Sequence, residues 1–502
     1  MRDSLVVETR AHDAVRAAAR RRPDGIALIT AERSLTWADV DAAVDRAAAR
    51  LTALVDEPGG RVAIVLGNTV DFAVVYFGVL RAGLVAVPLN PGYSPDEIDH
   101  VLRDAGVSLV VTESPIAGAS CVPPDLGSGP TAEPAAPAAD QLAVLIYTSG
   151  TSGRPKGAML THAALAANHE QLDAIDPPVV GPDDVVLLSV PFFHAYGLNT
   201  GLGSVAHHGA TGVLVERFDA AGSLAAIARH GVTVAVGVPG MFAAWSRHDD
   251  AATALATIRT AVCGAAPLAP ADAARFTAVT GKTVIIGYGL TETAPVLTTT
   301  AVSDRGKTGS IGRPLPGVAL RLRSAGGEIL WADGTASPDE DLAELDLAVA
   351  DSAGTDPGEI VVRGANLFTG YWPDGRDGPD ADGWWGTGDI AYADGDGDLH
   401  LVDRIGELIL VNGFNVYPAE IERVLTGHPG VAEAAVIAAP HPETGQVPRA
   451  YVVPAPDAPP TVAELRALCA AHLARFKQPS EIELVESLPH SATGKVRKQE
   501  LG

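Results

Sequence analysis

Short apolar runs of strand length alternate along most of the chain with longer stretches whose apolar residues recur at helical spacing. The pattern predicts a helix over 9–22 that stops before Pro23, a strand from Ala27, and a helix over 38–54. A buried strand at 61–66, an amphipathic helix over 69–82, a strand at 85–89 and a helix over 97–105 follow. Strands alternating with helices in this way imply parallel sheet covered on both faces. Residues 116–139, made largely of Ala, Pro, Gly and Ser, read as a surface connection. Beyond it come an apolar strand from Leu142, a helix over 161–173 and a strand from Val185 that runs into an aromatic and histidine cluster at 191–198. Further strand–helix units begin near residues 211, 232, 260 and 283.

The pattern then changes. Glycine-rich segments at 309–317 and 358–364 bracket a smaller β-rich region, and the acidic stretch 326–356 between them reads as a solvated insertion. After residue 403, strands at 431–439 and 450–453 accompany helices from Pro418 and over 462–476. The predicted fold class is α/β: a large N-terminal domain of doubly covered, mostly parallel sheets with a smaller β-rich region, then a small α+β domain. The expected limits are 1–402 and 407–502, joined by 403–406.

At 502 residues the chain is too long for a single core. It carries 61 acidic against 36 basic residues, a formal charge of −25, which argues against nucleic acid or an anionic membrane as partner. An anionic cofactor must then be held by local donors. Three widely spaced cysteines fit a reducing compartment, and no apolar run reaches membrane-spanning length, so a cytoplasmic protein is expected.

Four segments carry chemistry. The run Tyr147-Thr-Ser-Gly-Thr-Ser-Gly-Arg-Pro-Lys-Gly157 follows a strand with hydroxyls, glycines and cations, which suits polyphosphate oxygens. It is not a Walker A loop, because Gly157 is followed by Ala158. In Gly287-Tyr-Gly-Leu-Thr-Glu292 the third glycine of a dinucleotide fingerprint is replaced by Glu292, a hard oxygen ligand suited to Mg²⁺. Asp389 follows a Gly-Thr-Gly turn and could accept from both hydroxyls of a ribose. Lys495 lies behind Thr-Gly near the C-terminus.

Together, over almost the whole chain and in the same order, these motifs resemble those of the adenylate-forming superfamily of acyl-CoA synthetases, luciferases and peptide-synthetase adenylation domains. The resemblance is greatest to fatty-acyl and aryl-CoA ligases. It implies an ATP-dependent acid–thiol ligase that uses ATP, Mg²⁺ and coenzyme A, with a C-terminal domain that rotates about a hinge at Gly406. By the same resemblance, Thr148, Ser149, Gly150, Thr151, Ser152, Gly153 and Lys156 hold phosphate. Gly264, Ala265, Ala266 and Pro267, with Gly287, Tyr288 and Gly289, contact the adenosine, and Asp389 and Arg404 fix its ribose. Lys495, His194, Thr291 and Glu292 are the implied catalytic residues, Glu292 being the metal ligand. Phe193, Val238, Pro239, Met241 and Cys263 are expected to line the acyl pocket, and Gly413, Phe414 and Asn415 to meet CoA.

The pocket residues are apolar or small, which favours a hydrophobic monocarboxylic acid, because a second carboxylate would be left unpaired. Three positions depart from the common pattern: Gly406 where Asp or Lys is usual, Leu410 where Lys is frequent, and Gln446 where Glu is frequent. They bear on thioester formation and keep open an acyl-AMP ligase that loads an acyl carrier protein. A non-catalytic nucleotide-binding homologue would be expected to lack Lys495 or Glu292. A monomer or homodimer is expected.

Overall fold

The computed structural model describes residues 11–126, 137–148, 155–303, 306–333, 354–411, 414–442, 444–456, 458–491 and 494–501. Residues 149–154 of the expected phosphate loop, Gly413, residues 127–136 of the connection and most of the acidic insertion lie outside them. The chain divides into two compact units, Met1–Ala319 with Arg363–Trp385, and Leu320–Val362 with Gly386–Gly502.

The first unit is built on two sheets. In the nine-stranded one, Val284–Gly289, Thr260–Cys263, Val234–Gly237, Val185–Leu188, Thr211–Leu214 and Ile26–Ile29 run parallel, neighbour to neighbour. Antiparallel strands Val296–Thr299 and Arg313–Pro314 close one edge and Ser34–Thr36 the other. The six-stranded sheet places Cys121–Val122, Val107–Thr112, Arg61–Val65, Val85–Leu89 and Leu142–Thr148 in parallel, with Lys156–Thr161 antiparallel at its edge. Val85–Leu89 is buried at every residue, as expected of strands covered on both faces.

The helix expected to be amphipathic over 69–82 is instead buried all round. Within Val70–Arg81 every residue from Phe72 onward is buried. Its only charges are Asp71 and Arg81, at its two ends, so no polar face is available. A Cβ on Gly78 would lie 2.8 Å from that of Ala47, so glycine is what lets this helix close on Trp37–Leu54. The Arg81 guanidinium, 4% exposed, is neutralised by Asp41 (2.6 Å) and Asp45 (2.7 Å) of that neighbour.

The strand from Val185 also ends earlier than the sequence pattern suggests, at Leu188. Pro191 has no N–H for a ladder, and its carbonyl instead accepts from His194 N–H in a turn. The chain then enters a π-helix, Tyr196–Gly203. A Cβ on Gly197 would sit 2.2 Å from the Pro191 oxygen, so the tight entry requires glycine.

The second unit holds two further sheets. One orders Ile329–Asp333, Ala319–Arg323, Gly358–Arg363, Trp385–Ala393 and Leu399–Arg404. The other orders Phe414–Val416, Ile409–Val411, Gly445–Pro454 and Val431–His441, with Glu481–Leu484 parallel to Gly445–Pro454. Helices Pro418–Thr426 and Val462–His472 contribute Ile421, Leu425, Leu465 and Cys469 to its apolar core. The helix expected to reach residue 476 stops at His472, where Leu473 turns extended, and a 3-10 turn, Arg475–Lys477, follows. Residues 403–406 fall within this unit, at the end of Leu399–Arg404 and in the 3-10 turn Ile405–Glu407. No helix among the described residues is long and apolar enough to cross a membrane.

Candidate active site

In the first unit, strand ends gather the expected groups. Leu142–Thr148 delivers Thr148 to the start of the phosphate loop, and Lys156 stands opposite it in register where the chain returns. The Lys156 ammonium lies 3.1 Å from Asp377 and 5.0 Å from the centre of the Tyr371 ring. The Tyr371 hydroxyl in turn donates to Glu292 Oε1 at 2.6 Å. Glu292 is 6% exposed, and among the described residues no cation pairs with its carboxylate. A buried oxygen donor of that kind fits Mg²⁺. Tyr371 was not foreseen, because only the long-range approach of 371–372 to Gly157 and Ala158 brings it here. Tyr147 proves structural at its tip: its hydroxyl donates to Asp104 (2.6 Å), and burial, then that hydrogen bond and the carboxylate's charge, raise its pKa.

The two glycines of the Gly-Tyr-Gly motif differ in purpose. A Cβ on Gly289 would fall 1.7 Å from the Pro295 oxygen, so this glycine serves backbone packing. A Cβ on Gly287 would meet nothing within 4 Å, leaving room beside the strand end for a ligand. Tyr288 lies between them, half-buried. Thr291 and Glu292 lie in a 3-10 turn, Thr291–Thr293, held by Asn366 Nδ2 on the Thr293 carbonyl (2.7 Å) and by Phe368 N–H on the Glu292 carbonyl (2.8 Å). At the adjacent strand end Gly264 is packed on the Tyr196 ring, 3.0 Å from where a Cβ would be. Ala265 takes a left-handed conformation (φ 68°) and is exposed with Pro267, while Ala266 is half-buried. A non-glycine residue there is uncommon and fixes the turn's direction.

The expected acyl-pocket residues cluster around the same strand ends. Cys263 and Met241 are buried, and Phe193, Val238 and Pro239 are half-buried. Burial pushes the Cys263 thiol pKa up, so it acts as a small apolar group and not as a nucleophile. The Tyr196 hydroxyl donates toward the carbonyls of Gly237 (3.3 Å) and Val262 (3.2 Å), tying together the two strands that carry these residues.

His194 stands at the turn before the π-helix, with Nδ1 accepting from Tyr196 N–H at 3.2 Å. The proton of the neutral ring therefore belongs on Nε2. Burial lowers its pKa from the ordinary 6.5 to about 4. Between these values the unfolded chain binds the extra proton, so the His194 contribution to stability is complete above about pH 6.5 and lost as pH falls toward 4. Urea unfolding followed between pH 7 and 4.5 should show stability falling by up to about 1.4 kcal/mol per pH unit from this group. His194→Gln should flatten the curve, and an unchanged slope would exclude this origin.

In the second unit Asp389 and Arg404 are register partners on adjacent strands, with Arg404 Nε 2.7 Å from Asp389 Oδ1. Lys495 lies in the field of both, and of Glu407. Desolvation, then the positive charge of Arg404, lowers its pKa, while Glu407 and Asp389 oppose the shift. Lys498, which the motifs did not single out as functional, anchors this segment. Its ammonium bridges Glu407 (2.7 Å) and Glu422 (2.8 Å) and so joins the tail to the turn that contains Gly406. Phe414 and Asn415 lie on a strand opposite Val411 and Leu410, and Gly413 lies outside the described residues. Two of the unusual positions touch: Leu410 N–H donates to Gln446 Oε1 at 2.8 Å, and Leu410 is 49% exposed.

Residues 15–372 match the AMP-binding enzyme family, and residues 420–495 match the AMP-binding enzyme C-terminal domain. A feruloyl-CoA synthase of an Amycolatopsis species is 36% identical over 502 residues, covering 96% of each chain. A long-chain-fatty-acid–CoA ligase of Yersinia pestis is 32% identical, covering 89% of this chain and 85% of its own. The crystal structure of ATP-bound MatB from Rhodopseudomonas palustris superposes with a TM-score of 0.87 at 30% identity, covering 98% of both chains. With these matches spanning nearly its whole length, the chain belongs to the AMP-binding enzyme family, within the adenylate-forming superfamily that its motifs resemble.

Proposed function

We propose that this enzyme is an AMP-forming acyl-CoA synthetase for hydrophobic monocarboxylic acids. In the first step the acid's carboxylate oxygen attacks the α-phosphorus of ATP, giving acyl-AMP and pyrophosphate. In the second the thiol of CoA attacks the acyl carbon and AMP leaves, a far better leaving group than oxide. The observation that carries the acyl preference is the pocket group Phe193, Val238, Pro239, Met241 and Cys263, which offers no charged partner to a second carboxylate. Feruloyl and long-chain fatty acyl groups, named for two relatives, are of the same hydrophobic class.

The roles proposed for its residues are those that the motif resemblance implies. Thr148 and Lys156, with 149–153, hold the β- and γ-phosphate oxygens. Gly264 to Pro267, Gly287, Tyr288 and Gly289 seat the base, and Asp389 and Arg404 the ribose. Thr291 contacts the α-phosphate, and Lys495 reduces the repulsion between it and the incoming carboxylate. Glu292 would hold Mg²⁺, which supplies charge neutralisation for the pyrophosphate. His194 borders the acyl pocket and the path by which the thiol enters. Gly413, Phe414 and Asn415 are assigned to CoA. A swivel at 403–406 would carry the module 407–502 between the two half-reactions.

Mass spectrometry of products formed from ATP, Mg²⁺, CoA and a mixed acid library tests this reading. AMP and thioesters of aryl or aliphatic monocarboxylates are expected. A preference for malonate would overturn the acyl class. Acyl transfer to a phosphopantetheinylated carrier protein but not to CoA would favour the second reading, for which the apolar, exposed Leu410 speaks.

A further inference from the structure

Away from these residues, Asp173 ends the helix His162–Asp173, and His207 and His208 end the short helix Ser204–His208. Each oxygen of Asp173 faces one imidazole: Oδ2 is 2.8 Å from His207 Nε2, and Oδ1 is 2.8 Å from His208 Nε2. The candidate ligand atoms all lie within 4.8 Å of one another. The histidine side chains are 13% exposed and that of Asp173 41%, so the group is shielded yet reachable from solvent.

Hydrogen-bond accounting at His208 shows what is missing. Its Nδ1 lies 2.9 Å from the Ser204 carbonyl, an acceptor only, so that nitrogen must carry the proton. In the neutral ring Nε2 is then a bare lone pair, and it points at a carboxylate, also an acceptor only. Two lone pairs at 2.8 Å require a cation between them, either a second proton or a metal ion. An Nδ1–H on a backbone carbonyl with a free Nε2 is the arrangement by which proteins orient a metal-ligating histidine. A second proton would serve only the His208–Asp173 pair, whereas one divalent ion would satisfy Asp173 and both imidazoles, whose rings lie 4.9 Å apart.

We propose that Asp173, His207 and His208 form a binding site for a divalent transition-metal ion of the zinc class, separate from the nucleotide chemistry. Ligand atoms about 2.0–2.2 Å from one ion stand about 2.8–3.5 Å apart, so the two nitrogen–oxygen spacings of 2.8 Å already suit one ion, and the two imidazole nitrogens would draw together on it from within 4.8 Å. Two imidazoles and a carboxylate leave coordination positions for water. Around them lies a supporting shell. The His169 ring stacks on His207 (centroids 5.0 Å apart), and its Nε2 meets Asn199 Oδ1 at 3.0 Å. His169 Nδ1 is buried and has no hydrogen-bond partner among the described residues. Beside it His169, Asn199 and His207 line a cavity of about 20 Å³, enough for one water.

The metal-free full-length protein, without ATP or Mg²⁺, is titrated with Co²⁺ and then with Zn²⁺. One Co²⁺ per chain should bind with a visible absorption band, and Zn²⁺ should displace it. Asp173→Asn and His208→Gln should each weaken Zn²⁺ binding at least a hundredfold. Wild-type affinity no better than that of the variants would overturn the site. Should both variants misfold, ¹⁵N shifts of the wild-type imidazoles decide. Zn²⁺ must move the His207 and His208 Nε2 resonances, and if it moves neither the proposal fails.

Discussion

Lys495→Ala is expected to reduce ATP–pyrophosphate exchange by about 10²–10³-fold or more, the scale of removing one preorganised charge from a developing anion. The same variant should still convert supplied acyl-AMP and CoA to thioester at close to the wild-type rate, since that step separates the two anions that Lys495 serves to bring together. Lys495→Arg should recover only part of the loss, because a planar fork does not reproduce a point charge. Exchange left at the wild-type rate would remove the lysine from the chemistry. Equal loss in both half-reactions would mean that it positions the nucleotide throughout and does not act in one step.

Glu292→Gln should have the second-largest effect. The amide keeps the shape of the side chain and an oxygen able to accept from Tyr371, so the 3-10 turn Thr291–Thr293 should stay intact. What disappears is a buried negative charge, 6% exposed, that no cation among the described residues neutralises. Pyrophosphate exchange should drop by about 10²–10³-fold, and the Mg²⁺ concentration for half-maximal rate should rise, while the urea midpoint stays within error of wild type. A normal Mg²⁺ dependence would move the metal to other ligands. A large fall in stability would assign Glu292 a structural role.

Which parts of this were readable from residues alone follows from the range of the interactions involved. Strands such as Arg61–Val65 and Val85–Leu89 announce themselves because burial on both faces leaves a local signature, an unbroken apolar run. The pairing of Asp389 with Arg404 was also within reach, since both belong to motifs. The all-round burial of Val70–Arg81 is legible in its charges, which stand only at its two ends, whereas the spacing of its apolar residues by itself points to an amphipathic helix. Tyr371 and Lys498 were out of reach. Each depends on a partner distant in sequence, Glu292 in one case and Glu407 and Glu422 in the other, and neither partner leaves a trace in the local pattern.

The two-carboxylate grip on Lys498 has a mechanical consequence. A terminal peptide with a cation near its end would ordinarily sample a wide volume, and its effective concentration at any target would be low. Here Glu407 and Glu422 brace the segment three residues beyond Lys495. If the module 407–502 swivels as proposed, the ammonium rides on a stiff lever, and its reach is set by the orientation of the whole module, not by wandering of the tail. Loosening that brace would blunt delivery of the charge without altering a single reacting atom.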